Sequence, residues 1–355
     1  MKNKLFEPTQ LGKMKLSNRI VMAPLTRSRA IGNIPNELMA EYYSARATAG
    51  LIIAEGTSPS PNGLGYPRIP GIYSEAQVKA WKTVTDAVHK KGGHIFVQLM
   101  HTGRVSHTAN MPEGAKILSA SGETLAGKMY TDQHGEQPFG KPSEMTTQEI
   151  KAAISEYSKA STLAIEAGFD GVELHGANGY LIEQFLNPAS NKRTDEYGGS
   201  NENRMRFAIE VAKATVDAID KDKVGIRVSP YGVFNGSEPF ADTDQFYGDL
   251  ATKLSALGLT YIHVVDHSSM GTPPVSQNVK NLIHQNFKGT YIMSGGYDRE
   301  KAEADLAENR GDLVAFGRPF ISNPDLVEKL KTGAPLKQPD HSTFYTPGPK
   351  GYTDY

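Results

Sequence analysis

The chain has 355 residues, 38 basic against 39 acidic, a formal net charge of -1 and no cysteine. Near-neutral charge argues against electrostatic capture of nucleic acid or an anionic membrane. The missing cysteines exclude disulfides, thiolate metal sites, a cysteine nucleophile and iron–sulfur clusters.

The length suits one α/β barrel carrying insertions, here a single domain over residues 1–355. No window approaches the ~18 apolar residues of a membrane span. The first residues hold no apolar run of signal-peptide length, so a cytoplasmic enzyme is expected. Leu5–Ser17 precede the first strand and read as a hairpin plugging a barrel floor. Short, nearly continuous apolar runs then recur as strands covered on both faces. They lie at Arg19–Ala23, Leu51–Ala54, His94–Met100, Gly171–His175, Val224–Ser229, Tyr261–Val265, Tyr291–Ser294 and Leu313–Phe316. Helices fill the intervals. Ser74 with Gln77 and Thr146 with Glu149 fit capping boxes. Gly50, Gly92, Gly168 and Gly258 stand where left-handed helix caps are expected. Residues 102–143, rich in Gly, Pro and Ser, are too long for an ordinary βα loop and read as a lid or cap. Eight alternations argue for a parallel sheet closed into a (β/α)8 barrel, with an open doubly wound sheet as the alternative.

Active sites of such barrels form at the C-terminal ends of the strands. The polar residues expected there are Thr26, Gln98 and His101, then His175, Asn178 and Tyr180, and Arg227. Gly295, Gly296, Gly317 and Arg318 follow the last two strands, where barrels commonly hold phosphate. There, glycine amides and a helix start would approach the anion, and a guanidinium would bind it. In VGIRVS, Val224, Ile226 and Val228 point one way, and Gly225, Arg227 and Ser229 the other. A buried arginine needs a partner, because it cannot shed its proton. That partner is either a structural carboxylate or an electron-rich ring at the barrel mouth. His175 and Asn178 together can grip one oxygen. Tyr180, protonated at neutral pH, can act as an acid. Trp81 falls in a helix and receives no catalytic role.

Several segments resemble the Old Yellow Enzyme family of FMN-dependent ene reductases. They are PLTRSRA (24–30), VQLMHTGR (97–104), GVELHGANGYLIEQFLNPASNKRTDEYGGSNENRMRF (171–207), SGGY (294–297), VAFGRPFISNPDL (314–326) and the ending FYTPGPKGYTDY. The match runs from Leu5 to Tyr355 and most resembles bacterial N-ethylmaleimide, nitrate-ester and morphinone reductases. The resemblance implies bound FMN, with NADPH or NADH as reductant and activated alkenes or nitro compounds as substrates. It places Pro24, Thr26, Gly56, Gln98 and Arg227 around the flavin ring, and Gly295, Gly296, Gly317 and Arg318 at its phosphate. It gives His175 and Asn178 the substrate oxygen and Tyr180 the proton. Tyr66, Met100, Phe234 and Tyr345 would line the substrate cavity. Many relatives carry tryptophan where this chain has Met100, which is narrower and more flexible. No metal is implied, and the chain could be a monomer or a homodimer. A flavin-free barrel lyase or isomerase acting on a phosphorylated substrate, and a non-catalytic FMN or steroid binder, are the competing readings.

Overall fold

The structure, a computed structural model, describes residues 3–355. An antiparallel hairpin of β1 (Thr9–Leu11) and β2 (Met14–Leu16) comes first. Barrel strands β3 (Ile20–Met22), β4 (Leu51–Thr57) and β5 (Ile95–Leu99) follow. The insertion contributes β6 (Leu118–Ser119), β7 (Lys128–Thr131), β8 (Gly135–Pro138) and β9 (Ser143–Glu144). The barrel resumes with β10 (Gly171–Gly176), β11 (Val224–Val228), β12 (Tyr261–Val265), β13 (Thr290–Ser294) and β14 (Leu313–Phe316). These eight strands are parallel and close on themselves, with β14 pairing β3 and β5 pairing β10. The closed (β/α)8 barrel therefore replaces the open-sheet alternative. Strand ends agree with the sequence expectation to one residue, except that β4 runs on to Thr57 through a register shift after Ala54.

The helices are α1 (Glu37–Ser44), α2 (Glu75–His89), α3 (Thr147–Glu166), α4 (Leu181–Leu186) and α5 (Asn201–Ile219). They continue with α6 (Thr243–Ala256), α7 (Gln277–Asn286), α8 (Arg299–Ala307), α9 (Arg318–Ser322) and α10 (Leu326–Thr332). Both expected capping boxes form, at Ser74–Gln77 and Thr146–Glu149. Each satisfies otherwise orphaned donors at a helix start. Gly92, Gly168 and Gly258 adopt φ of 75°, 89° and 75°. Gly50 does not. Its glycine is required because a Cβ there would stand 2.2 Å from the Asn18 carbonyl oxygen. Trp81 lies in α2, fully buried, and its Nε1 donates to the Gly71 carbonyl.

The period of two sorts each strand. Val224, Ile226 and Val228 pack outward into the main core beneath the helices. A separate inner cluster fills the lower barrel, with Val21, Leu51, Ile53, Phe96, Tyr261, Ile292 and Leu313. Leu11 and Leu16 of the hairpin join that cluster with no exposed surface, so the hairpin does plug the floor. Gly225 leaves room for the Tyr261 ring, which a Cβ would meet at 2.2 Å. No helix among the described residues is long and apolar enough to cross a membrane.

Candidate active site

Above the apolar layer the barrel interior turns polar. Register places Gln98 beside Glu173, His175 beside Arg227, and Arg227 beside His263. Glu173 is fully buried. It accepts from Gln98 Nε2 at 2.8 Å and the Tyr261 hydroxyl at 3.2 Å, and lies 2.8 Å from His263 Nδ1. Three groups thus engage this carboxylate, and none is Arg227.

Arg227 is 7 % exposed and its side chain makes no ion pair or hydrogen bond among the described residues; its Nε is buried without a partner. The structural salt bridge considered for it is not formed. Burial holds its pKa below the ordinary arginine value, with the Glu173 field opposing. His175, next to it, is buried with Nδ1 unpartnered. Burial first, then the charges of Arg227, His263 and His267, depress its pKa far below 6.5, so its imidazole is neutral. A permanent cation and a neutral imidazole, both with free hydrogen-bonding capacity, fit an electron-rich polar ring better than any protein partner present.

Asn178 and Gly179 form a turn just past β10 with φ of 61° and 76°. Asparagine and glycine tolerate this left-handed pair. The Asn178 Oδ1 lies 2.8 Å from His267 Nε2. Burial lowers the His267 pKa to about 4, so this neutral ring donates to Asn178 and leaves the Asn178 amide group free to donate elsewhere. Tyr180 follows. Its ring meets the His175 ring edge-on at 4.9 Å, and its hydroxyl lies 3.1 Å from that of Tyr66. Burial raises the Tyr180 pKa, which keeps the phenol protonated.

The remaining expected residues gather at the same end. Pro24 is buried and Thr26 half-buried past β3. Met100 is 1 % exposed and packs against Gly56, where a Cβ would meet its Sδ at 2.6 Å. Tyr66 and Tyr180 border the same small cluster. The Phe234 ring packs edge-on against His267 at 4.7 Å. Tyr345 is 61 % exposed at the rim. His101 lies beyond β5 rather than on it; burial takes its pKa down to about 3.

The residues expected to hold a phosphate lie just past β13 and β14. The α8 start is already capped by the Asp298 side chain on Lys301 N, so its dipole meets a carboxylate first. Gly317 stands at the start of α9, which has no side-chain cap. Gly295 has a packing reason as well, since a Cβ would lie 2.0 Å from the Asp266 carbonyl oxygen. Gly296 and Arg318 are exposed.

A profile of the NADH:flavin oxidoreductase / NADH oxidase family matches residues 4–337. The chain belongs to this family, that of the Old Yellow Enzymes. Family membership makes FMN the cofactor and a nicotinamide coenzyme the reductant, and displaces the flavin-free lyase reading. The chain is 44 % identical over 362 residues to 12-oxophytodienoate reductase 1 of Oryza sativa subsp. japonica, covering 99 % of this chain and 92 % of that one. Morphinone reductase in complex with tetrahydroNAD superposes with a TM-score of 0.94 at 43 % identity, over 99 % of this chain and 96 % of that one. The Old Yellow Enzyme homologue from Zymomonas mobilis gives 0.94 at 40 % identity, over 99 % of each chain.

Sequence reasoning assigned no part to four residues near this family site: His267, Glu183, Ser229 and Asn235. Asn235 Nδ2 donates to the Asn178 carbonyl at 2.8 Å. The position of His267, two residues past strand six, was the one available signal. Glu183 lies inside a helix among apolar neighbours and gave none.

Proposed function

We propose that this Old Yellow Enzyme family member reduces the C=C bond of α,β-unsaturated carbonyl compounds with NADPH or NADH, and accepts maleimides and nitro compounds at the same site. The observation that carries this reading is the unpartnered Arg227 beside neutral His175, with Asn178 and Tyr180 on the adjoining turn.

The Pro24 and Gly56 backbones, Thr26, Gln98 and Arg227 surround the ring of FMN in this reading. Gly295, Gly296, Gly317 and Arg318 hold its phosphate. When bound, FMN supplies the hydride that adds to the alkene β-carbon. Arg227 would hold its charge where the ring gains negative charge on reduction. His175 and the free amide group of Asn178 donate to the substrate oxygen, drawing onto it the electron density left at the α-carbon. Tyr180 passes its hydroxyl proton to that α-carbon, completing a saturated product, and the Tyr66 hydroxyl orients it. Met100, Tyr66, Phe234 and Tyr345 shape the cavity.

The insertion acts as a cap. Arg68 pairs with Asp132 on its hairpin, while Nη2 donates to the Tyr345 carbonyl at 2.7 Å and Nε to the Ser28 carbonyl at 3.0 Å. One arginine thus ties the cap to the C-terminal segment and to the loop after β3, which limits water at the mouth.

Stopped-flow measurement of the two half-reactions tests the assignment. In Tyr180→Phe, reduction by NADPH is expected to stay near normal. Reoxidation by 2-cyclohexenone is expected to slow by up to ~10²–10⁴-fold, the range of general acid catalysis. Loss of the NADPH step with full enone turnover would show that Tyr180 is not the acid.

A further inference from the structure

Glu183 is 1 % exposed on α4, one turn behind the substrate-facing loop, and forms no ion pair among the described residues. Each of its hydrogen-bonding partners is a donor. Gly179 N donates to Oε2 at 2.5 Å. The Ser229 hydroxyl sits 2.9 and 3.0 Å from the two oxygens, and the Tyr247 hydroxyl lies 3.4 Å from Oε1. Ser229 Oγ in turn accepts from Asn178 N at 2.9 Å. An isolated buried carboxylate is expensive, so such a group persists where several donors need it.

That need comes from the backbone donors nearby. The turn after β10 leaves the strand ladder before α4 begins, and its amides must find other acceptors. Leu181 N reaches the His101 carbonyl, and Tyr180 N makes a long 3.4 Å bond to the Ala177 carbonyl. Asn178 N and Gly179 N, the two amides of the left-handed pair, both drain into Glu183, one through Ser229 and one directly.

We propose that Glu183 is a positioning residue for the reaction: with Ser229 as its relay, it holds the Asn178–Gly179 turn so that Asn178 and Tyr180 face the carbonyl-bearing ligand. This rests on the substrate roles proposed above for those two residues. Glu183 touches no substrate. Its contribution is the angle at which the Asn178 amide and the Tyr180 hydroxyl enter the cavity.

Glutamine at this position keeps the size but brings an NH2 group into a ring of donors, so one existing donor loses its acceptor. Aspartate keeps an acceptor-only group on a shorter stem. The probe is tetrahydroNAD, a non-reducing nicotinamide analogue, titrated into FMN-loaded protein and read from the flavin spectrum. At pH 8.5, where Glu183 is ionised and accepts only, Glu183→Gln is expected to raise its Kd roughly tenfold, as loss of a hydrogen bond to a charged group does. The KM for 2-cyclohexenone should rise in parallel, while FMN content and flavin midpoint potential stay at wild-type values. Glu183→Asp should recover part of the lost affinity. Ser229→Ala should weaken binding too, and Glu183→Gln/Ser229→Ala should be little worse than the worse single variant, because both cut one chain of hydrogen bonds.

Unchanged Kd in folded Glu183→Gln overturns the proposal. So does a loss that spreads equally to FMN content and midpoint potential, which would mark a purely structural role. If Glu183→Gln does not fold, Glu183→Asp and Ser229→Ala decide: wild-type Kd in both overturns it, and a selective rise in Kd supports it. Asn178→Ala separates this from the reading beneath it. If that variant binds tetrahydroNAD as well as wild type, the substrate role of Asn178 fails. If Asn178→Ala weakens binding and the Glu183 and Ser229 variants do not, only the positioning role fails.

Discussion

The two halves of the barrel interior are built by opposite rules. The lower half is an apolar layer of Val21, Leu51, Ile53, Phe96, Ile292 and Leu313 closed by Leu11 and Leu16. The upper half holds Glu173, His175, Arg227 and His263 on the same inward positions of β10, β11 and β12, three of them with a buried side-chain nitrogen that has no protein partner. Below, side chains complete each other. Above, they are complete only with something the chain does not encode. Stability and function therefore divide along the barrel axis, and substitutions on either side of the divide should have different consequences.

The largest expected effect is at the floor. Phe96→Ala empties a ring-sized volume between Gly171 and Tyr261. Large-to-small changes of this kind cost about 3–5 kcal/mol. Denaturant unfolding should show that loss, with the flavin midpoint potential of the folded fraction unchanged. A shifted potential would mean that the halves are coupled.

A smaller effect is expected behind the mouth, and it depends on pH. Burial raises the Glu183 pKa to about 7 against the donors that lower it. The folded protein then holds this proton more tightly than the unfolded chain, whose carboxyl titrates near 4.5. The stability contributed by the protonated form is complete below that value and is lost as pH rises towards 7. At ~1.4 kcal/mol per pKa unit the loss is about 3 kcal/mol. Glu183→Gln has no such titration, so its stability relative to wild type should climb between pH 4.5 and 7 and level off above. A difference that stays flat over this window would place the folded pKa of Glu183 in the ordinary range.

Arg227→Met should produce the smallest change in energy and the sharpest division. With no protein partner to lose, the apoprotein should be as stable as wild type or more so. In FMN-loaded protein the midpoint potential should drop by ~45–65 mV, equivalent to about 2–3 kcal/mol for a two-electron couple. An unchanged potential would remove Arg227 from the flavin environment.

Much of this division was legible in the sequence. Period-two alternation in VGIRVS separated Arg227 from Val224, Ile226 and Val228, and strand-end placement brought His175, Asn178 and Tyr180 to one face. The floor plug was visible as an extra segment before the first strand. What stayed hidden was connection across distance in sequence. Ser229 was seen to share Arg227's face, but nothing local says that its hydroxyl lies between Asn178 and Glu183. His267 looked like one polar residue after a strand until the fold set it 2.8 Å from an amide 89 positions earlier. Gly50 misled because a close approach to Asn18 and a left-handed cap leave the same letter.

The plug at the floor has one more consequence. With Leu11 and Leu16 packed into the lower end, the site residues are approached from the mouth at the C-terminal ends of the strands. In the proposed reaction the nicotinamide donor and the alkene acceptor must both reach the ring through it, and the first visitor must leave before the next can enter. The hairpin would thus shape the order of events in a reaction it never touches. In that scheme the reducing equivalents would wait inside the protein between the two visits, and each partner, when abundant, would obstruct the other's turn.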